Sequence, residues 1–174
     1  MDRFKDYDVI FSGLKEGKHR FTFDIDQEFF NLFETEQEFS RPRIKAEVLM
    51  DKHSTFMEFW INTRGTVELI CDISNELFDH EIENEINVLV KFGEEYDDSD
   101  IEVITIPQNS HAFNVAQLVY EDVMLSIPMK KVSPNLTEED LKVLEQYSPE
   151  EESEEEENAD PRWDALRNLK NKDN

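Results

Sequence analysis

The alternation of apolar residues along the chain is the feature that most constrains its fold. Apolar side chains occupy every second position in several segments, most clearly Ile44, Ala46, Val48 and Met50, and again Ile86, Val88, Val90 and Phe92. Because successive side chains of a β-strand point to opposite faces, this period of two predicts strands with one buried face. Sheets that bury one face and expose the other to water are typically antiparallel.

Shorter segments with the same period extend the predicted sheet. Strands are expected around Phe21–Ile25, over Phe56–Ile61 and over Ile101–Ile106. Arg64-Gly65 is interpreted as a tight turn, after which Thr66–Asp72 would return antiparallel. These elements predict a mainly β, or α+β, fold: an antiparallel sandwich or a partly closed barrel with a few peripheral helices.

Helices are expected at four places, one of which begins after Thr137, interpreted as an N-cap with Asp140 at the third helical position. Asp26 is placed to cap a short helix that carries Phe29, Phe30 and Phe33. Residues 114–124 put apolar side chains on one helical face. Asp160-Pro161 combines an N-cap acid with proline at the first helical position, which predicts a helix near the C-terminus.

The net charge of −24 is distributed unevenly along the chain. Residues 150–160 contain eight acids and no base, whereas residues 161–174 contain four bases and two acids, so that −18 remains on residues 1–149. A run of glutamates repels itself and cannot bury apolar surface, so it is interpreted as disordered. The predicted organisation is therefore one β-rich domain over residues 1–147, an acidic linker over 148–159 and a short helical tail over 160–174.

Composition and motifs exclude several classes of function. A single cysteine excludes a disulfide framework and a multi-cysteine zinc site. The sequence contains no phosphate loop and no glycine-rich catalytic motif, so neither an enzyme activity nor a cofactor is expected. No apolar run approaches ~18 residues and the start lacks a secretory signal, which predicts a cytoplasmic protein without a membrane span.

Two chemically interesting side chains are interpreted as structural. Cys71 follows Val67 and Leu69 in the same register and is expected to be a small buried hydrophobe, the alternative being a reactive or metal-binding thiol. Trp60, beside Phe59, is expected to pack in the core, and base stacking on a nucleic acid is the alternative.

The predicted C-terminal helix is the most suggestive element for partner binding. Its apolar face is too short to be stable alone, so it docks on the acidic body, folds on a partner or remains coil. The candidate partner-binding residues are Asp160, Pro161, Arg162, Trp163, Leu166 and Leu169.

A small basic face is the second candidate contact surface. Arg41, Arg43 and Lys45 alternate along one predicted strand and would share a face, with Arg64 as a further contributor. A solvated strand face is the ordinary interpretation, and a contact with RNA or protein is the alternative.

Four stretches of the chain form an ordered set: FSGLKEGKHRFTFDIDQEFF, GTVELICDISNELFD, QLVYEDVMLSIPMKKV and DPRWDALRNLK. As a set they resemble the YceD family, the large-ribosomal-RNA-subunit accumulation proteins, over nearly the whole chain. The resemblance implies a role in 23S ribosomal RNA accumulation, and therefore in large-subunit assembly in bacteria. It does not imply an enzyme.

The sequence departs from this family in its cysteines. Cys71 matches the first cysteine of the family's central motif, but Ser74 stands where the second would be. The family's later cysteines have no counterpart in KKVSPNLTEED, so no metal is expected, because one thiolate is too few for a structural zinc site.

The charge of the body suggests the kind of partner. Ribosomal proteins are usually strongly basic, so an acidic body should meet a ribosomal protein or a pre-large-subunit particle more readily than bare RNA. Contact with ribosomal RNA is then expected to be indirect or local, through the C-terminal helix or the basic face. The alternatives are a direct RNA-binding module that uses the basic face and a generic acidic protein-binding domain.

Overall fold

The fold was analysed in a computed structural model that describes residues 3–100 and 102–137. A five-stranded sheet has the order β2-β3-β4-β5-β6, and a second sheet pairs β1 with β7. The strands are β1 Asp8–Ile10, β2 Gly17–Ile25, β3 Ser40–Lys52, β4 Phe56–Ile70, β5 Leu77–Gly93, β6 Val103–Pro107 and β7 Ala112–Asn114. A 3₁₀ helix spans Arg3–Tyr7, and the α-helices are α1 Gln27–Phe30 and α2 Ala116–Ser126. The mainly β prediction is confirmed, and neither sheet of this described part closes into a barrel.

The pairing of β4 with β5 is the longest in the fold. It runs without a register shift from Phe56↔Lys91 to Ile70↔Leu77. The predicted turn at Arg64-Gly65 is wrong, because the chain continues through these residues as one strand of 15 residues and turns only after Ile70.

Gly65 lies inside β4 because the backbone of β3 comes very close there. A β-carbon at position 65 would lie 2.1 Å from the carbonyl oxygen of Arg43 and 2.6 Å from Cα of Ile44. The β3–β4 register shifts between Ser40 and Arg43, and Arg41 has a φ of 47°. A glycine is therefore required here because the backbone of β3 approaches closely beside a bulge, and not because the chain changes direction.

Strand β6 departs from the antiparallel prediction. It pairs with β5 in parallel, from Leu89↔Val103 to Gly93↔Pro107, whereas the other strand pairs that the structure describes are antiparallel. The loop after Gly93 carries the chain back along β5 before β6 begins. Because β6 has 5 residues and β5 has 17, β6 covers only one end of its neighbour.

The inner face of the large sheet holds the core, as the alternation predicts. Buried side chains there include Ile44, Ala46, Val48 and Met50 of β3, and the rings of Phe59 and Phe113 bring β4 against β7 with centroids 4.9 Å apart. Asp26 caps α1 as predicted, since its side chain accepts hydrogen bonds from the N–H groups of Glu28 and Phe29. In the described residues, no helix has both the length and the apolar character needed to cross a membrane.

The predicted domain end at residue 147, the helix after Thr137, the acidic linker and the C-terminal helix all lie outside the described residues. They stay predictions.

We predict that Gly65→Ala will destabilise the fold by about 1–3 kcal/mol, because the new methyl group meets backbone atoms of β3 that cannot rotate away. Urea denaturation followed by circular dichroism measures this. The control is Thr66→Ala, at the neighbouring half-buried position, for which a change within about 0.5 kcal/mol is expected. Equal stability of the two variants would contradict the close-approach explanation.

Candidate functional site

The basic residues singled out in the sequence lie on the outer face of the large sheet. Arg43 and Lys45 are exposed on β3, and Lys45 lies directly opposite Arg64 of β4. Arg41 is exposed at the bulge where β3 begins. The structure thus brings Arg43, Lys45 and Arg64 together through one step of cross-strand pairing.

Each arginine of this group faces a carboxylate. The nitrogen–oxygen distances are 3.3 Å for Arg41–Glu68, 3.8 Å for Arg43–Asp79 and 3.1 Å for Arg64–Glu83. The Arg43–Asp79 and Arg64–Glu83 pairs are exposed, and such pairs contribute only about 0–1 kcal/mol, so a partner's phosphate or carboxylate can compete for these two arginines. The same pairs leave little unbalanced positive charge on this face.

Trp60 lies on the outer face as well, so the prediction that it packs in the core is wrong. Its neighbour Phe59 is completely buried, and consecutive residues of a strand point to opposite faces. Trp60 is half-buried opposite Leu49, and Nζ of Lys18 lies 6.0 Å from the centroid of its ring. This distance is within the range of a cation–π interaction.

Cys71 lies in the turn between β4 and β5, where it is buried as predicted. The N–H of Ser133 donates a hydrogen bond to its Sγ at 3.3 Å. Polar groups around the sulfur lower the pKa of the Cys71 thiol to about 7, although burial acts in the opposite direction. The hydroxyl of Ser74 contributes most, followed by the amide of Ser74, and the amides of Ser133 and Ile73 contribute less. The Ser74 hydroxyl is itself buried and makes no hydrogen bond of ordinary geometry within the described residues.

The turn that contains Cys71 is fastened to the segment after α2. The N–H of Asp72 donates to the carbonyl oxygen of Lys131 at 2.8 Å, and the N–H of Lys131 donates back to Oδ2 of Asp72 at 2.7 Å. Ser74 and Ser133 thereby come next to the single thiol. Two hydroxyls and one thiol do not supply the thiolates that structural zinc prefers, so these residues do not fit a zinc site. In residues 3–100 and 102–137, no group of three His, Cys, Asp or Glu side chains is placed to hold a metal ion.

A buried carboxylate on α2 was missed in the sequence. Asp122 is 2% exposed, accepts a hydrogen bond from the buried hydroxyl of Thr63, and accepts another from Nδ2 of Asn84 at 2.6 Å. Burial raises the pKa of Asp122, while the two hydrogen bonds oppose that rise. The available signal was an acid three residues after Val119, on the helical face that the apolar pattern assigns to the core. Because it ties α2 to β4 and β5, its role is to position the helix.

Comparison with known proteins places this architecture in a family. The model of the family described as "Large ribosomal RNA subunit accumulation protein YceD" matches residues 60–170, which is well over half of the chain. The chain belongs to the YceD family. No curated protein and no solved structure matches it. The family description implies a role in the accumulation of large-subunit ribosomal RNA.

The YceD match covers most of β4 and all of β5, β6, β7 and α2. It includes the Cys71 turn, the paired segment around Ser133 and the buried Asp122. The stretch FSGLKEGKHRFTFDIDQEFF lies outside the match, so its likeness to the family stays a prediction. The candidate residues of the C-terminal helix fall within the match but outside the described residues: Asp160, Pro161, Arg162, Trp163, Leu166 and Leu169.

We predict that Asp122→Ala will lower the free energy of unfolding by about 1–3 kcal/mol, because Thr63 and Asn84 lose their buried acceptor. Folding raises the pKa of this carboxyl, so its stabilising contribution is complete below its unfolded pKa and declines as the pH rises through the folded value. The loss should therefore be larger in mildly acidic buffer than at neutral pH.

Urea denaturation at both pH values measures the effect of Asp122→Ala. Glu121→Ala, an exposed substitution on the same helix, serves as the control and should change stability by less than about 0.5 kcal/mol. A loss that is the same at the two pH values would contradict the assignment of the raised pKa to Asp122.

Proposed function

We propose that this protein is a non-enzymatic factor for large ribosomal subunit assembly that binds a ribosomal protein or a pre-large-subunit particle in the bacterial cytoplasm. Membership of the YceD family carries this proposal, because the family is described by the accumulation of large-subunit ribosomal RNA. An RNA that is not incorporated into a stable particle is exposed to degradation, so a factor that promotes its packaging would raise its level.

The charge of the chain supports a protein as the direct partner. At −24 overall, the chain repels a phosphate backbone at long range and attracts a basic protein. Complementary charge accelerates encounter and weakens with salt, so the interaction is expected to be strongest at low ionic strength. The C-terminal residues around Trp163, with their net charge of +2, are proposed as a second, local contact to RNA or to another factor.

A direct RNA-binding module is the alternative, and the position of Trp60 favours it. A half-exposed indole on a sheet face, with Lys18 at its ring and Arg20, Lys45 and Arg64 on the same face, has the composition of a stacking platform. The ion pairs of Arg41, Arg43 and Arg64 count against it, as does the surrounding negative charge. We therefore rank it second.

Sedimentation of cell lysate through a sucrose gradient at low salt tests the proposal. We expect the full chain to co-sediment with precursors of the large subunit, and a chain truncated after Asn158 to do so less. The double variant Trp163→Ala/Leu166→Ala keeps the charge of the tail but removes two of its apolar side chains. Weaker co-sedimentation of this variant would indicate an apolar contact, and unchanged co-sedimentation an electrostatic one. If the full chain stays in the soluble fractions, and 23S ribosomal RNA is normal in cells without the protein, the proposal is wrong.

Charge reversal on the outer face distinguishes the two candidate functions. Under the proposed function, the Arg41→Glu/Arg43→Glu variant should bind precursor ribosomal RNA as well as the control variant does. Under the alternative, its affinity for that RNA should fall steeply, and the remaining affinity should depend less on salt concentration. Lys15→Glu/Lys130→Glu changes the net charge equally from exposed loop positions and serves as that control. Filter binding across a salt series measures both properties.

A further inference from the structure

We propose that the edge of β5 that the described residues leave uncovered binds an extended basic segment of a ribosomal protein as an added β-strand. This inference rests on the proposed function and names the surface and the chemistry through which it would act. Three observations carry it: the unpaired backbone of β5, an apolar groove beside it, and the charge of both.

Within residues 3–100 and 102–137, the backbone of β5 has hydrogen-bonding groups without a partner strand. The N–H of Leu89 donates to the carbonyl oxygen of Glu102 at 2.8 Å, so the backbone groups of Leu89 face β6. Alternate residues of a strand turn their N–H and C=O groups to the same side, and the β4–β5 register has no shift. The residues that face the same side before β6 begins are Asp79, Glu81, Glu83, Glu85 and Asn87.

No strand covers this stretch in the described part of the chain. Pairing with β6 begins at Leu89↔Val103, while pairing with β4 extends to Leu77 on the other side. The open edge therefore offers five N–H and five C=O groups in a row that continues the line of β6. An incoming strand could form a regular ladder there without displacing any part of the described structure.

An apolar groove lies beside the end of this open edge. It has a volume of about 420 Å³ and is formed by β5, β6 and α2. Ile86, Val88 and Ile104 contribute from the sheet, and Leu118 and Leu125 from the helix. Leu125 is 84% exposed, whereas the other apolar residues of α2 are buried or half-buried. A strand added to β5 would place every second side chain toward this groove.

Charge identifies the occupant of the edge and the groove. Asp98, Asp100 and Glu102 line the groove from the loop before β6, and Glu121 lines it from α2. On the outer face, the exposed residues Asp79, Glu81, Glu83 and Glu85 follow the open edge, and of these Glu81 and Glu85 form no ion pair within the described residues. A segment that alternates apolar residues with Lys or Arg would place its apolar side chains in the groove. Its basic side chains would then lie on the outer face, where they would neutralise the carboxylates along the open edge.

The same carboxylates argue against two other occupants. Charged side chains on an edge strand prevent it from pairing with a like-charged edge, so a second copy of this chain is disfavoured. RNA is disfavoured because its phosphates would meet carboxylates on both sides of the edge. The opposite edge of the sheet, β2, carries Lys18, Arg20 and Asp24 on its outer face and so does not select one sign of charge.

A synthetic peptide that alternates valine and lysine and is long enough to span Asp79–Asn87 tests the inference with the full chain. The control is the same peptide with N-methyl groups on alternate backbone amides. The methyl groups keep the charge and the side chains but remove the N–H groups that would donate hydrogen bonds to β5. We expect the unmethylated peptide to bind at least about tenfold more tightly, as measured by fluorescence anisotropy, which is ~1.4 kcal/mol. Equal affinity would mean that charge alone attracts the peptide, and would overturn the inference.

Hydrogen exchange locates the binding. The amides of Glu81, Glu83 and Glu85 face the open edge, so the peptide should slow their exchange, whereas the alternate amides are already bonded to β4. Protection of the β2 amides instead would place the peptide on the wrong edge and overturn the inference. Protection of the β5 edge by self-association or by an RNA oligonucleotide in the absence of peptide would overturn the choice of occupant.

Substitution of Glu81 provides the matched pair of variants. Glu81→Pro removes an edge N–H that β4 does not use, and proline is tolerated at such positions. Glu81→Gln removes the same charge but keeps the N–H. We expect Glu81→Pro to lose peptide affinity by about tenfold relative to Glu81→Gln, and similar affinities of the two would contradict strand addition. Leu125→Lys, at an exposed groove position, should also weaken binding while preserving the thermal unfolding temperature.

The gradient experiment separates failure of this inference from failure of the proposed function. If Glu81→Pro co-sediments with large-subunit precursors as well as Glu81→Gln does, the edge is not the docking surface, although the proposed function stands. If the unaltered chain does not co-sediment at all, the proposed function fails whatever the peptide does.

Discussion

The uninterrupted pairing of β4 with β5 is the constraint on which the rest of the structure depends. A single register maintained over 15 residues turns every second side chain of both strands toward the inner face of the sheet and every other one toward the outer face. A slip of one residue would bury Arg64 and Glu83 and expose Phe59 and Ile61. The close backbone approach at Gly65 is compatible with this register, because it lets β3 pair with β4 on both sides of the bulge while β4 stays in register with β5.

This separation of faces explains how so acidic a chain folds. Among the described residues the buried acid is Asp122, and it is accommodated by two hydrogen-bond donors rather than by a counter-charge. In the described residues, the other charged side chains are exposed or half-buried, where water screens their repulsion. The arginines of β3 and β4 are placed opposite acids of β4 and β5, so the basic residues balance the sheet surface more than they create a basic patch.

The strands and their buried faces could be predicted from the sequence because period-two alternation is a local signal. The alternation around Ile44 and Ile86, the Asp26 cap and the apolar face of α2 required no knowledge of tertiary contacts. Arg64-Gly65 was misread because a glycine that opens a turn and a glycine that admits a neighbouring backbone look the same in sequence. The parallel direction of β6 depends on the path of the loop that precedes it. The outward position of Trp60 depends on whether Phe59 or Trp60 faces the core, and both residues are aromatic.

The candidate surfaces were harder to predict for a related reason. Arg41, Arg43 and Lys45 could be grouped because they share one strand, but their carboxylate partners are on other strands and appear only once the register is known. The open edge of β5 is a difference in length between two neighbouring strands, and no local pattern encodes it. Because β6 pairs only with Leu89–Gly93, the stretch of β5 before it has no neighbouring strand on that side in the described part of the chain, and its outer face carries carboxylates. Under the proposed function, such an edge would admit a basic strand and disfavour a second copy of this chain, and the difference in length between β5 and β6 provides the space for that strand.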